Sequence, residues 1–321
     1  MNARGGAAPG EPDLDLSVDL GGLRLAFPTL AASGCFGSGA EYGGATDLAR
    51  LGAIVLKSVT PQPRAGNSMP RLVPTPSGLL NAIGLQNPGI DAFLERDVAA
   101  LAGRPCKVVG SVAGFALEDF ARVTERLAAR AEIDAIELNV SCPNVAHDGE
   151  LFACEPELAA AATRAARAVT AKPLLVKLSP SVTRIAEIAR AVEAAGADAL
   201  VVANTVRGMA IDVERRAPAL GNVTGGLSGA AIRPIALLAV WETAQAVAIP
   251  IVGLGGIGGA RDALEFVLAG ASAVAIGTGG FIDPRAAERT CRGIAAYLVE
   301  NGFASLRAAI GAANPTYAGG R

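Results

Sequence analysis

Eight short apolar, β-favouring runs recur along the chain, and Ala-rich stretches of helical period separate several of them. The runs are LRLAFPTLAAS, AIVLKSVT, CKVVGSVAG, AIELNVS, LLVKLSP, ALVVANT, PIVGLGG and AVAIGTG. Between them lie LEDFARVTERLAARA, ELAAAATRAARAVTA and VTRIAEIARAVEAAG. A pattern that switches from continuous apolar to a period near 3.6 and back is that of strand–helix units around a parallel sheet. Two helices end in AGA before the next strand, at 195–197 and 269–271, with Gly placed for a helix C-cap. Eight such units predict an α/β fold, a (β/α)₈ barrel, with a doubly wound open sheet as the runner-up.

Composition agrees with a large buried core. Of 321 residues, 51% are hydrophobic and 18% charged. Barrels of this length form one unit, so residues 13–321 are read as a single domain behind a disordered tail at 1–12. A net charge of −2 leaves no polyelectrolyte footprint, which argues against nucleic acid as a partner. The apolar run AVAIPIVGLGGIGGA carries Pro and several Gly and is too short to span a bilayer, and no signal peptide opens the chain. Five scattered cysteines without a CxxC predict neither a disulfide framework nor a metal or iron–sulfur site, and favour the cytoplasm. Cys106, Cys154 and Cys291 are read as small buried hydrophobes. A single histidine, His147, removes any mechanism that needs two imidazoles. It is read as a solvated loop residue.

Chemistry gathers where the apolar runs stop. Ser33, Lys57 with Ser58, Ser111, Asn139 with Cys142, Lys177, Asn204 with Thr205, Gly255 with Gly256, and Gly277 with Thr278 all sit there. Lysines inside VLKSV and LVKLS are costly to bury unless they meet an anion or a polar cofactor. GLGGIG matches the dinucleotide fingerprint in letters only: it follows seven strand–helix units and lacks an acid at the ribose distance. In a barrel, Gly-rich loops after strands seven and eight hold a phosphate through backbone N–H groups, and Gly229, Gly255, Gly256, Gly277 and Thr278 suit that use. Asn81, Asn139, Asn144 and Asn204 can each donate and accept, as a flat heterocycle with alternating N–H and C=O groups requires. Two connections, Pro61 to Asn87 and Val206 to Ser228, are too long for simple strand–helix loops and are read as structureless functional segments at the C-terminal face.

These residues fall in ordered blocks: ASGCFGSGAEY, VLKSVT, PRAGNSMPR, NAIGLQNPG, ELNVSCPNV, VKLSP, ANT, GNVTGGLSG, GLGGI and AIGTGGF. From about Leu23 to Phe281 the chain resembles class 1 dihydroorotate dehydrogenase, most closely the class 1B catalytic subunit. The resemblance implies an FMN-binding barrel that oxidises dihydroorotate to orotate in pyrimidine biosynthesis, with Cys142 as the base. It implies that Ser33, Lys57, Ser58, Ser111, Asn139, Lys177, Ala203, Gly229, Gly255, Gly256, Gly277 and Thr278 line the flavin. Lys57, Asn81, Gly84, Leu85, Asn139, Asn144, Asn204 and Thr205 would hold the substrate. Ser111 stands where the family often has Asn, which is expected to leave the flavin ring one hydrogen bond fewer, and Cys35 stands where it often has Thr. The resemblance also implies a homodimer within a heterotetramer, whose second subunit carries FAD and a [2Fe–2S] cluster and passes electrons to NAD. The alternatives are a class 1A-type enzyme using fumarate, another flavin barrel acting on a reduced pyrimidine, and a barrel that only binds a phosphorylated metabolite.

Overall fold

The computed structural model describes residues 14–37, 41, 44–141, 152 and 154–317. Eight parallel strands close into a barrel: β1 (Thr29–Ala31), β2 (Ala53–Val55), β3 (Lys107–Val112), β4 (Ala135–Asn139), β5 (Leu174–Leu178), β6 (Ala199–Val202), β7 (Ile251–Leu254) and β8 (Ala273–Ile276). The ring closes where β8 pairs in parallel with β1, Val274 opposite Thr29 and Ile276 opposite Ala31. That closure excludes the open doubly wound sheet. Strands covered on both faces need apolar residues on both, and every residue of β5 and of β8 is buried.

The covering helices are α1 (Leu117–Ala128), α2 (Pro156–Arg167), α3 (Ile185–Ala194), α4 (Arg233–Ala244), α5 (Ala260–Ala269) and α6 (Ala286–Glu300). Their buried faces are rich in Ala, as in α2, where Ala159, Ala160, Ala162 and Ala166 face inward. Small side chains let the helix axis approach the barrel closely. Pro156 opens α2 at its first turn, where no N–H is needed. Both AGA turns behave as the sequence implies: Gly270 caps α5 at φ +128° and Gly196 follows α3 at φ +99°.

Two sequence expectations need correction. The first apolar run divides: Leu23–Leu25 leaves the barrel and pairs with Val18–Leu20 as an antiparallel hairpin, and only Thr29–Ala31 enters the ring. Pro28 separates the pieces. The two long connections are not structureless either. They supply Leu72–Thr75, Gly78–Asn81, Val206–Met209 and Thr224–Ser228, which pair antiparallel as one four-stranded sheet. Leu80, Ala82 and Leu220 are its small core. Each segment folds into its own antiparallel hairpin, Leu72–Thr75 on Gly78–Asn81 and Val206–Met209 on Thr224–Ser228. The four-stranded sheet forms only where the two hairpins meet, Leu80 opposite Leu227, more than a hundred residues apart. Both segments do leave from C-terminal strand ends, as expected, and they roof that face of the barrel.

The hairpin turn at Gly21 packs on the N-terminal end of β6. Its φ is +64°, and a Cβ there would collide with the Asp198 carbonyl. Gly21→Ala should therefore lower unfolding free energy by about 1–3 kcal/mol. Urea denaturation checks this, and an unchanged midpoint would contradict the packing.

Candidate active site

The C-terminal strand ends and the roof sheet enclose a cavity of about 800 Å³. From the barrel come Ser33, Lys57, Ser58, Asn139, Lys177, Ala203, Asn204 and Thr205, with Gly255, Gly256, Gly277 and Thr278. From the roof segments come Asn81, Gly84, Leu85 and Gly229. Asn81 is thus not at a barrel strand exit; it arrives on a roof strand, where its Nδ2 donates to the Gly226 carbonyl at 3.1 Å. Cys142, Asn144 and His147 lie outside the described residues, as does the proposed tail at 1–12.

Ser111 does not reach the cavity. It is fully buried one layer behind the wall, with its Oγ 2.8 Å from Ser58 Oγ and within hydrogen-bond distance of Glu137 Oε1, at 3.1 Å. From Ser58 the hydrogen bonds continue along the wall. Asn139 Nδ2 donates to Ser58 Oγ at 3.1 Å, Ser141 Oγ to Asn139 Oδ1 at 3.0 Å, and Asn204 Nδ2 to Ser141 Oγ at 2.7 Å. Each amide is therefore held in one orientation before any ligand arrives.

Charge is scarce and positioned. Lys177 projects from β5 and is 6% exposed; among the described residues its ammonium has no hydrogen-bond or ion-pair partner. A buried ammonium facing a cavity calls for an electron-rich or anionic ligand. Glu137, which the sequence reading passed over, is the other buried charge-bearing group of the barrel interior. Burial pushes its carboxyl above the usual range, against the pull of Lys177 and the Ser111 hydrogen bond. The signal was the same as for the lysines: a charged residue inside an apolar strand. Burial likewise raises the Cys35 thiol, opposed by Lys177 and Lys57.

Glycine shapes the opposite wall. Gly255 has φ +136° and Gly256 φ +72°, and a Cβ on Gly256 would lie 2.8 Å from the Arg233 backbone nitrogen. Gly229 turns at φ +88° against Gly78 of the roof. Gly258 is different: its N–H is taken by Asp262 Oδ2 at 2.9 Å, and Asp262 also pairs with Arg233. Asp262 therefore serves its own helix end rather than a ribose. Thr278 Oγ1 donates to Ser228 Oγ at 2.7 Å and joins this wall to the roof.

The turn bearing Gly84 and Leu85 is pinned from behind. Leu85 sits at φ +56°, unusual for a side chain of its size, and Gly84 at +74°. Asn87 Nδ2 donates to the Leu85 carbonyl at 2.7 Å and to Thr60 Oγ1 at 2.8 Å, while its Oδ1 accepts from Gly89 N at 2.9 Å. Arg64 lies 4.4 Å over the Phe115 ring, and Arg71 donates to Gln86 at 2.7 Å. Away from the site, Cys106 and Cys291 are buried as expected, burial lifting the Cys106 thiol to about 11. Cys154 is exposed, contrary to its reading as a buried hydrophobe, because it precedes α2 instead of lying on an inward face.

Residues 15–298 match the family model described as dihydroorotate dehydrogenase. The chain belongs to the dihydroorotate dehydrogenase family. Among curated relatives, it is 50% identical over 297 residues to a protein of Trichlorobacter lovleyi, covering 92% of this chain and 98% of that one. It is also 50% identical over 298 residues to one of Geobacter sulfurreducens, with 93% and 98% covered. Both are named dihydroorotate dehydrogenase B (NAD(+)), catalytic subunit. The family implies a flavin, and the cavity suits one: the buried Lys177 ammonium, a row of fixed amides and a glycine wall that side chains would fill. Among the described residues, no helix is long and apolar enough to cross a membrane.

Because Asn87 is buried and satisfies four polar groups, the Leu85 carbonyl, Thr60 Oγ1, Gly89 N and Thr60 N, Asn87→Ala should cost about 1–3 kcal/mol of stability. It should also weaken ligand binding at the Leu85 turn. Thermal unfolding and a ligand titration check the two effects, and wild-type values in both would show that the turn holds without Asn87.

Proposed function

We propose that this chain is the catalytic subunit of an NAD-linked dihydroorotate dehydrogenase, oxidising dihydroorotate to orotate for pyrimidine biosynthesis in the cytoplasm. The observation that carries this reading is the buried Lys177 ammonium, without a hydrogen-bond or ion-pair partner among the described residues, facing a cavity of amides and glycines in a chain of this family. FMN, when bound, supplies the acceptor for the hydride that leaves carbon 6 of dihydroorotate. Ser33, Lys57, Ser58, Asn139, Lys177, Ala203, Gly229, Gly255, Gly256, Gly277 and Thr278 would hold it, Lys177 offsetting the negative charge that reduction brings. The backbone N–H groups of the glycine wall suit the phosphate.

The substrate ring would lie between the barrel wall and the roof. Asn81, Asn139, Asn204 and Thr205 offer it donors and acceptors, Asn144 adds a further contact, and the Gly84–Leu85 backbone closes its edge. Lys57 would touch both substrate and flavin. The Cys142 thiolate takes the proton from carbon 5, so that a C–C double bond forms as hydride and proton depart. A thiolate base with an ordinary pKa near about 8.5 works better as pH rises.

Nothing in the described cavity resembles a second nicotinamide site. We infer that electrons leave through a partner subunit carrying FAD and a [2Fe–2S] cluster. Phe281 and Ile282, exposed at the cavity rim, support an exit there. Met69, Met209, Ile211 and Val213 are exposed on the roof segments and support a homodimer built on that face, within a heterotetramer.

The purified chain should be yellow, and anaerobic dihydroorotate should bleach it. Cys142→Ser should keep the flavin but slow that bleaching by roughly 10²–10⁴-fold at neutral pH. Near-wild-type single-turnover rates in the variant would remove Cys142 from the mechanism. Alone, the chain should reduce artificial acceptors with dihydroorotate and barely reduce NAD, NAD activity appearing once the flavin and iron–sulfur subunit is added. Robust NADH formation by the isolated chain would overturn the partner reading.

A further inference from the structure

The proposed reaction makes no use of Glu137. Its carboxyl is 1% exposed inside the barrel, and strand register sets Ser111 opposite Glu137 and Asn139 opposite Lys177. Residues two apart on a strand share a face, so the acid lies one layer below the amide. Lys177 is the charged group whose field acts on it, but the two form no ion pair.

Each serine has one proton to donate. Ser33 gives its own to the Leu56 carbonyl at 2.7 Å, and Ser58 Oγ accepts from Asn139 Nδ2 at 3.1 Å. The Ser58 proton then goes either down to Ser111, at 2.8 Å, or outward, toward Ser33 Oγ at 3.4 Å and the cavity. An ionised Glu137 forces Ser111 to donate to it, and the Ser111 oxygen then draws the Ser58 proton inward. A neutral Glu137 is itself a donor: Ser111 passes its proton to Ser58, and Ser58 turns its own outward. An ionised carboxylate would also oppose the field of Lys177 at the cavity. Burial without an ion pair favours the neutral acid, in the direction already given for this carboxyl.

We propose that Glu137 is a positioning residue that, held as a neutral carboxylic acid, turns the Ser58 hydroxyl through Ser111 into a donor aimed at the flavin subsite. The proposal rests on the FMN reading of the cavity. It makes the Ser111 position a link in the chain rather than a direct contact.

Infrared difference spectroscopy tests it, comparing flavin-stripped protein with the same protein after FMN is added. Wild type should show the carbonyl stretch of a protonated carboxylic acid at neutral pH, missing in Glu137→Gln. If that variant does not fold, carboxyl-labelled glutamate identifies the band in wild type. FMN should shift this band, although Glu137 does not line the cavity, and Ser58→Ala or Ser111→Ala should abolish the shift. Ser58→Ala should also weaken FMN by about 3- to 10-fold, the worth of one hydrogen bond. Absence of the band, or a band that FMN leaves unmoved, would overturn the proposal. Failure of stripped wild-type protein to take up FMN would overturn the cofactor reading instead, and the flavin-free spectrum would still decide whether the acid is neutral.

Discussion

The backbone pairing of β8 with β1 is the interaction on which the rest of the structure depends. Without it the sheet would keep two open edges, and its ligand crevice would form where strand order reverses. With it, all eight strands run the same way around a closed ring, and every C-terminal end reaches one rim. Side chains separated by more than two hundred residues, Ser33 and Thr278 among them, then line the same cavity.

Closure also makes polarity inside the ring costly. The interior is filled largely by Val, Leu and Ala, so each polar group there must be satisfied by another or wait for a ligand. Ser111, Ser58, Asn139, Ser141 and Asn204 satisfy one another in a single chain of hydrogen bonds that begins at Glu137. Lys177 stands apart in charge: among the described residues its ammonium has no hydrogen-bond or ion-pair partner, and it identifies the side of the cavity that a ligand must complete. The roof does the complementary work. Antiparallel pairing between two distant segments brings Asn81 and the Leu85 turn over the strand ends, and Asn87 holds that turn from behind.

Much of this was legible in the chain itself. The eight apolar runs identified all eight barrel strands because a strand buried on both faces has no room for polar alternation. Lys57 and Lys177 stood out because charge within such a run needs a reason. Glu137 carries the same signal in AIELN, an acid inside an apolar run, but one acid beside a polar strand end is outweighed there by Asn139, Ser141 and Asn144, and only packing shows it buried. The roof sheet was not legible, because its strands are short and only half-buried, and the pairing that joins its two hairpins is remote in sequence. The hairpin at Val18–Leu25 was hidden for a related reason: it is apolar like a barrel strand, and only pairing distinguishes the two.

The order of strands and helices, the glycine loops and the residues that could carry chemistry were determined by the sequence alone, because periodicity, side-chain chemistry and backbone freedom are local properties. Tertiary structure alone decided that the ring closes, that Ser111 stands behind the cavity wall, that the Gly258 amide is taken by Asp262, and that Lys177 faces the cavity without a hydrogen-bond or ion-pair partner among the described residues. Each of these depends on which atoms come within hydrogen-bond distance across long separations, and no local property of a chain encodes that distance.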